Sequence, residues 1–193
     1  MLLSEIATAG KNGQFRTPRH IIKLMADLVQ PQLGHKIADP ACGSGGMFVS
    51  SKQFAVGHGG KASDVSIYGQ ERNPNTWKLA AMNLAIRGLA FNLGEAHGDT
   101  LLTDRHPTLK ADYILMNPPF KGAVDKGGVH PTLPSETTKS ELLLLHLILR
   151  ALDMGGRAAV IVPDGVLFGS SRAHVEVRRR IIEENRLDGV VSM

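Results

Sequence analysis

Strand-like and helix-like stretches alternate from residue 18 nearly to Met193, and that alternation restricts the fold to the α/β class. Residues 18–28 place Ile21, Ile22, Leu24, Met25 and Leu28 on one apolar helical stripe, with Thr17 expected as N-cap and Pro18 at the first helical position. Residues 36–41 read as a short buried strand entering a glycine-rich loop, and a helix is predicted over 47–56. A strand over 65–70, a helix over 74–87 closed by Gly88, and strands over 91–97 and 112–116 follow. Residues 140–152 form an apolar helix, 157–162 a strand, 171–185 a basic helix and 187–191 a last strand. Strands separated by helices cannot pair as hairpins, so the expectation is a Rossmann-like fold. Its sheet is mostly parallel with helices on both faces, in a single domain spanning residues 1–193.

Composition narrows the functional classes. The net charge of +4 permits an anionic partner without requiring one. A single cysteine, Cys42, excludes an internal disulfide framework, and no Cys/His cluster has metal-ligand spacing, so no metal site is predicted. Cys42 itself, with no adjacent His or Lys, reads as a small loop residue. No apolar run reaches the roughly 18 residues of a membrane span and no signal-peptide pattern opens the chain, which points to the cytoplasm.

The chemistry concentrates in two loops. Asn117-Pro118-Pro119-Phe120 follows a strand. An exocyclic base amine or an amide nitrogen is a poor nucleophile because its lone pair is delocalised into the adjoining π-system. Two acceptors aimed at its N–H bonds can turn that lone pair toward an electrophile. Asn117 Oδ1 and the Pro118 carbonyl are suited to this, Pro118 and Pro119 fix the backbone, and Phe120 offers a stacking ring. The second loop, Asp39-Pro40-Ala41-Cys42-Gly43-Ser44-Gly45-Gly46, nominates a cofactor site. Phe48 stands where the third glycine of a dinucleotide fingerprint belongs, and no P-loop occurs. S-adenosylmethionine carries no pyrophosphate and needs only small residues beside its methionyl part, so Gly43, Ser44, Gly45 and Gly46 suit it. Glu71, after the second strand, is placed to accept from both ribose hydroxyls. Asp99, after the third, is placed for the adenine amine of the same cofactor.

Together these residues resemble the gamma-order N6-adenine DNA methyltransferases, and within them the modification subunit of type I restriction-modification systems. The segment 13–18 is similar to the N-terminal motif that closes over the cofactor, which implies cofactor contacts for Gln14, Phe15, Arg16, Thr17, Pro18 and Arg19. The segment 39–47 resembles the glycine-loop motif and adds Asp39 and Ala41 to that set; Glu71, Asp99 and Asn117-Pro118-Pro119-Phe120 match the ribose, adenine and catalytic motifs. The segment 155–168 is also typical of that subunit. The resemblance implies methyl transfer from S-adenosylmethionine to the N6 amine of adenine flipped out of double-stranded DNA, without a metal. It implies a specificity subunit and a restriction subunit as partners. The Asn-Pro-Pro-Phe turn also resembles that of ribosomal-RNA guanine methyltransferases and, with Tyr in place of Phe, of release-factor glutamine methyltransferases. An RNA or protein methyltransferase, or a fragment that only binds cofactor, are therefore the other readings.

Against the family pattern, a helical N-terminal domain and strands after 187–191 are missing, so the expectation is a catalytic core with an unpaired apolar edge strand at 187–191. The long irregular stretch 121–139 is expected to act as a lid or nucleic-acid-contacting loop. Arg178, Arg179 and Arg180 point about 100° apart on a helix and have Glu183 and Glu184 within pairing distance, so they read as a solvated face.

Overall fold

In the computed structural model, which describes residues 17–59, 65–119, 123–134 and 136–192, five parallel strands form one sheet in the order β3-β2-β1-β4-β5. The elements are α1 (Arg19–Val29), β1 (Lys36–Asp39), α2 (Gly46–Gly57), β2 (Ser66–Gly69), α3 (Pro74–Ile86), β3 (Phe91–Asn92) and β4 (Ala111–Met116). After a 3-10 turn at Lys126–Gly128 come α4 (Ser140–Ala151), β5 (Leu152–Val160), α5 (Asp164–Phe168) and α6 (Arg172–Glu183). The chain builds outward from β1 to β3 and then returns to lay β4 on the other side of β1. That reversal opens a crevice beyond the carboxyl ends of β1 and β4, where an α/β sheet receives its ligands.

The two-residue side-chain period of the strands sorts the core into two layers. Ile37, Ile67, Tyr113 and Leu115 face α1, α2 and α3, packing with Ile22, Met25, Phe48 and Leu84. Ala38, Ile114 and Met116 face the other way, onto Leu143, Leu144, Leu147 and Ile148 of α4. Leu142 and Leu145, on the far side of α4, meet Val166 and Val177 from α5 and α6. The apolar run of α4, interrupted only by the buried His146, has this cause: a helix covered on both sides has little face to leave polar.

The structure departs from the sequence expectations at four places. The first helix begins at Arg19 with Pro18 as N-cap, and Thr17 does not cap it. Pro18 is extended (φ −57°, ψ 142°), and its carbonyl accepts from the N–H groups of Ile21 and Ile22 at 3.1 Å. The strand expected over 91–97 stops at Asn92, because Asn92 Oδ1 accepts the N–H of Gly94 at 2.9 Å and turns the chain there. The strand expected over 157–162 starts at Leu152 and absorbs an irregularity between the pairings of Ala111 and Tyr113. Gly156 passes so close that a Cβ there would lie 2.9 Å from the Asp112 carbonyl. The strand expected over 187–191 does not form. Leu187, Val190 and Val191 are 51%, 60% and 59% exposed, and no neighbouring strand lies beside them among the described residues. The edge of the sheet is β5, with Met154 and Ala158 exposed.

Candidate active site

The glycine loop is held open by bonds from three directions. Gly43 and Gly45 take left-handed φ values of 54° and 80°, which favour glycine. Cys42 N–H donates to the Gln70 carbonyl at 2.9 Å, Gly43 N–H to Glu71 Oε2 at 3.1 Å, and Asn83 Nδ2 to the Ser44 carbonyl at 2.7 Å. A Cβ on Gly46 would stand 3.4 Å from Ile22 of α1, whereas one on Gly43 would project into open space. The loop therefore has an anchored side and a vacant side.

Two acids of the loop region sit in different surroundings. Asp39 is almost wholly buried, its Oδ1 accepting the N–H of Ala41 at 3.0 Å. Burial pushes its carboxyl up to about 8, with the negative charge of Glu71 adding and the Ala41 N–H opposing. Burial likewise raises the Cys42 thiol well above its ordinary range, as suits an inert packing residue.

Glu71 uses both carboxylate oxygens, Oε2 on Gly43 and Oε1 on the N–H of Asn73 at 2.7 Å. Each oxygen has a second lone pair, so two hydroxyl donors are still within its capacity. Gly98 N–H donates to the Glu71 carbonyl at 2.9 Å, which brings the Asp99 turn alongside. Asp99 Oδ1 accepts the N–H of Leu101 at 3.0 Å, and its Oδ2 lies 3.5 Å from Arg72 Nη1.

Gln70 is the residue that sequence reasoning missed. Fully buried, it donates from Nε2 to the carbonyls of Gly98 (3.0 Å) and Thr103 (2.7 Å) and accepts the Arg105 N–H at 2.9 Å. It brackets the turn that carries Asp99. A glutamine closing an otherwise apolar strand was the available signal.

Asn117 closes the other side of the crevice, directly after β4. Its Nδ2 donates to Thr17 Oγ1 at 2.8 Å, across 100 residues of sequence. Its Oδ1 is buried and has no hydrogen-bond partner among the described residues. Pro118 is buried and Pro119 exposed. Pro18 and Arg19 are exposed at the start of α1. Gln14, Phe15, Arg16 and Phe120 lie outside the described residues.

The structure thus brings Thr17 to Asn117, and Ala41, Gly43 and Ser44 to Asp39, Glu71 and Asn83, around the ends of β1, β2 and β4. The vacant side of Gly43 and the acceptors of Glu71 and Asp99 fit S-adenosylmethionine, whose ribose hydroxyls and adenine amine are donors. Among the described residues no group of His, Cys, Asp and Glu side chains could hold a metal ion, and no helix is long and apolar enough to cross a membrane.

The family model described as N-6 DNA Methylase matches residues 1–193. The chain is 34% identical over 195 residues to the type I restriction enzyme HindI methylase subunit of Haemophilus influenzae, covering 97% of this chain and 43% of that protein. It is 31% identical over 201 residues to the EcoEI methylase subunit of Escherichia coli, covering 100% of this chain and 41% of that one. The solved type I restriction-modification methyltransferase subunit from Streptococcus thermophilus superposes with a TM-score of 0.77 at 27% identity, covering 95% of this chain and 41% of that chain. The chain spans about two fifths of the length of these relatives.

Proposed function

The chain belongs to the N-6 DNA methylase family, and from that premise we propose that it catalyses methyl transfer from S-adenosylmethionine to the N6 amine of adenine in double-stranded DNA. It does so as the catalytic core of a type I modification subunit, in the cytoplasm. A specificity subunit reads the DNA sequence, and a restriction subunit joins the same assembly. The observation that carries this reading is Asn117 Oδ1, a buried acceptor at the end of β4 with no partner among the described residues. A buried oxygen without a donor is costly, so in a native site it calls for one, and the N–H of the target amine would supply it.

S-adenosylmethionine, when bound, supplies an electrophilic methyl group on a positively charged sulfur. The glycine loop from Gly43 to Gly46 lies against its methionyl part, Glu71 accepts its ribose hydroxyls and Asp99 accepts its adenine amine. By the motif that they match, Thr17, Pro18 and Arg19, with Gln14, Phe15 and Arg16, would contact it. Asn117 Oδ1 and the Pro118 carbonyl accept the two N–H bonds of the target amine, which favours localising its lone pair on nitrogen, toward the methyl group, and draws the developing positive charge toward two oxygens. Phe120 stacks on the flipped base.

The test is product analysis. The chain, in the assembly that carries its activity, is incubated with labelled cofactor and duplex DNA, ribosomal RNA or release factor. N6-methyladenine in DNA alone, lost in Asn117→Ala with cofactor affinity retained, is the expected result. Label in RNA or in release-factor glutamine instead, or cofactor binding without transfer to any of the three, would replace this reading.

A further inference from the structure

We propose that Thr17 is a positioning residue for Asn117, anchoring its side-chain amide so that Oδ1 is held toward the target amine. The inference builds on the methyl-transfer reading above. The two ends of an asparagine amide have nearly the same shape, and a half-turn about the terminal torsion exchanges them. Chemically the ends are opposites. With Oδ1 forward, the target amine meets an acceptor; with Nδ2 forward, two NH2 groups face each other and neither can accept.

The backbone alone does not make that choice, because the double-proline turn fixes the main chain of Pro118 and Pro119 and not the amide of Asn117. A threonine hydroxyl can donate as well as accept, so it anchors the amide in place, and the arriving target amine, whose N–H bonds donate, selects the orientation with Oδ1 forward. In the structure Nδ2 meets the Thr17 hydroxyl, at 2.8 Å, while Oδ1 is buried without a partner among the described residues. Amine N–H to Oδ1, then Nδ2–H to Oγ1, is a complete chain of donors and acceptors only in this orientation.

Thr17 is free to serve in this way because it has given up the helix cap. No side chain caps α1, and its first turn is bonded to the Pro18 carbonyl instead. The β-branch of threonine restricts the rotation that would carry the hydroxyl elsewhere. Thr17 also stands directly before the helix whose Ile22 packs beside Gly46 of the glycine loop. A displacement of α1 against the loop would therefore move the acceptor of Nδ2.

The test compares Thr17→Val, which keeps the shape and removes the acceptor, with Thr17→Ser, which keeps the acceptor, in the assembly that methylates DNA. Thr17→Val is expected to slow single-turnover methylation at saturating cofactor about tenfold, a loss larger than any accompanying fall in calorimetric affinity for S-adenosylmethionine. Thr17→Ser should restore most of the rate. The second readout needs no turnover: hydrogen exchange of the Asn117 side-chain amide in 15N-asparagine-labelled protein, its resonances identified by their loss in Asn117→Ala. Exchange should be slowed in the wild type and in Thr17→Ser, and fast in Thr17→Val. Wild-type methylation or wild-type amide exchange in Thr17→Val overturns the proposal, as does a loss of cofactor affinity as large as the loss of rate. A wild-type assembly that methylates no adenine overturns the reading of function instead, and amide exchange then decides the bond by itself.

Discussion

Glu71 Oε2 accepts the N–H of Gly43 at 3.1 Å, which joins the acid after β2 to the glycine loop after β1. Glu71→Ala should therefore act twice, removing the acceptor proposed for the ribose and releasing the loop on which the methionyl part is to lie. We expect cofactor affinity to fall by about 1.5–3 kcal/mol, as for hydrogen bonds to a charged group. Calorimetric titration checks it, and an unchanged affinity removes Glu71 from the site.

Gln70→Ala should destabilise the fold. The substitution strands the carbonyls of Gly98 and Thr103 and the N–H of Arg105, groups that Gln70 now satisfies from a fully buried position. The three bonds are partly buried, so each lost one is expected to cost toward the lower end of about 1–3 kcal/mol, with a lowered Tm and a lowered urea midpoint. A wild-type Tm would show that water reaches the Asp99 turn and replaces the side chain.

The buried carboxyl of Asp39 makes stability depend on pH in a direction opposite to that of a salt-bridged acid. Its folded value, about 8, lies above the ordinary 3.8, so between these two limits the folded chain retains a proton that the unfolded chain has released. Through this group stability falls as pH rises across that window, and is unaffected below it. Asp39→Asn should therefore gain stability relative to wild type at pH 8 and gain none at pH 3.5. Urea unfolding of both proteins at the two values tests this; equal differences at both would show that Asp39 is not the group responsible.

Arg179→Glu should leave the salt dependence of DNA affinity unchanged in the assembled enzyme. Arg179 is engaged by Glu176 at 2.8 Å and Glu183 at 2.9 Å, and reaches Glu184 at 3.5 Å. Its neighbours are also occupied: Arg178 donates to the Val166 carbonyl at 2.9 Å, and Arg180 to Glu184 and His146. A cation already paired releases few counterions when DNA arrives. A shallower slope of log affinity against log salt would make this helix a DNA contact.

The parallel sheet was legible from the alternation of periods, because a strand buried on both faces and an amphipathic helix such as α1 leave different local patterns. The positions of Glu71 and Asn117 beyond the ends of β2 and β4 were legible for a related reason, since strand ends converge at the switch point. What the sequence concealed is tertiary. Thr17 has the composition of a helix cap, and only the fold reveals that its hydroxyl is turned to a side chain 100 residues away. Gln70 is one polar residue whose three partners lie 28 to 35 positions downstream. Residues 187–191 have strand-like composition, but a strand exists only beside a neighbour, and composition does not supply one.

The return of the chain from β3 to β4 has a thermodynamic consequence. β1 is paired on both sides, with β2 and with β4, so the two walls of the crevice meet only when the last of these strands has docked. A partly folded chain holding β1, β2 and β3 has the glycine loop and the two carboxylates but not Asn117. A ligand spanning both walls would bind the completed sheet and no earlier intermediate. Mass action would then raise the stability of the whole unit, by about 2.7 kcal/mol at a hundredfold excess over Kd. Protection on ligand addition should accordingly spread to the central strands and not stop at the loops.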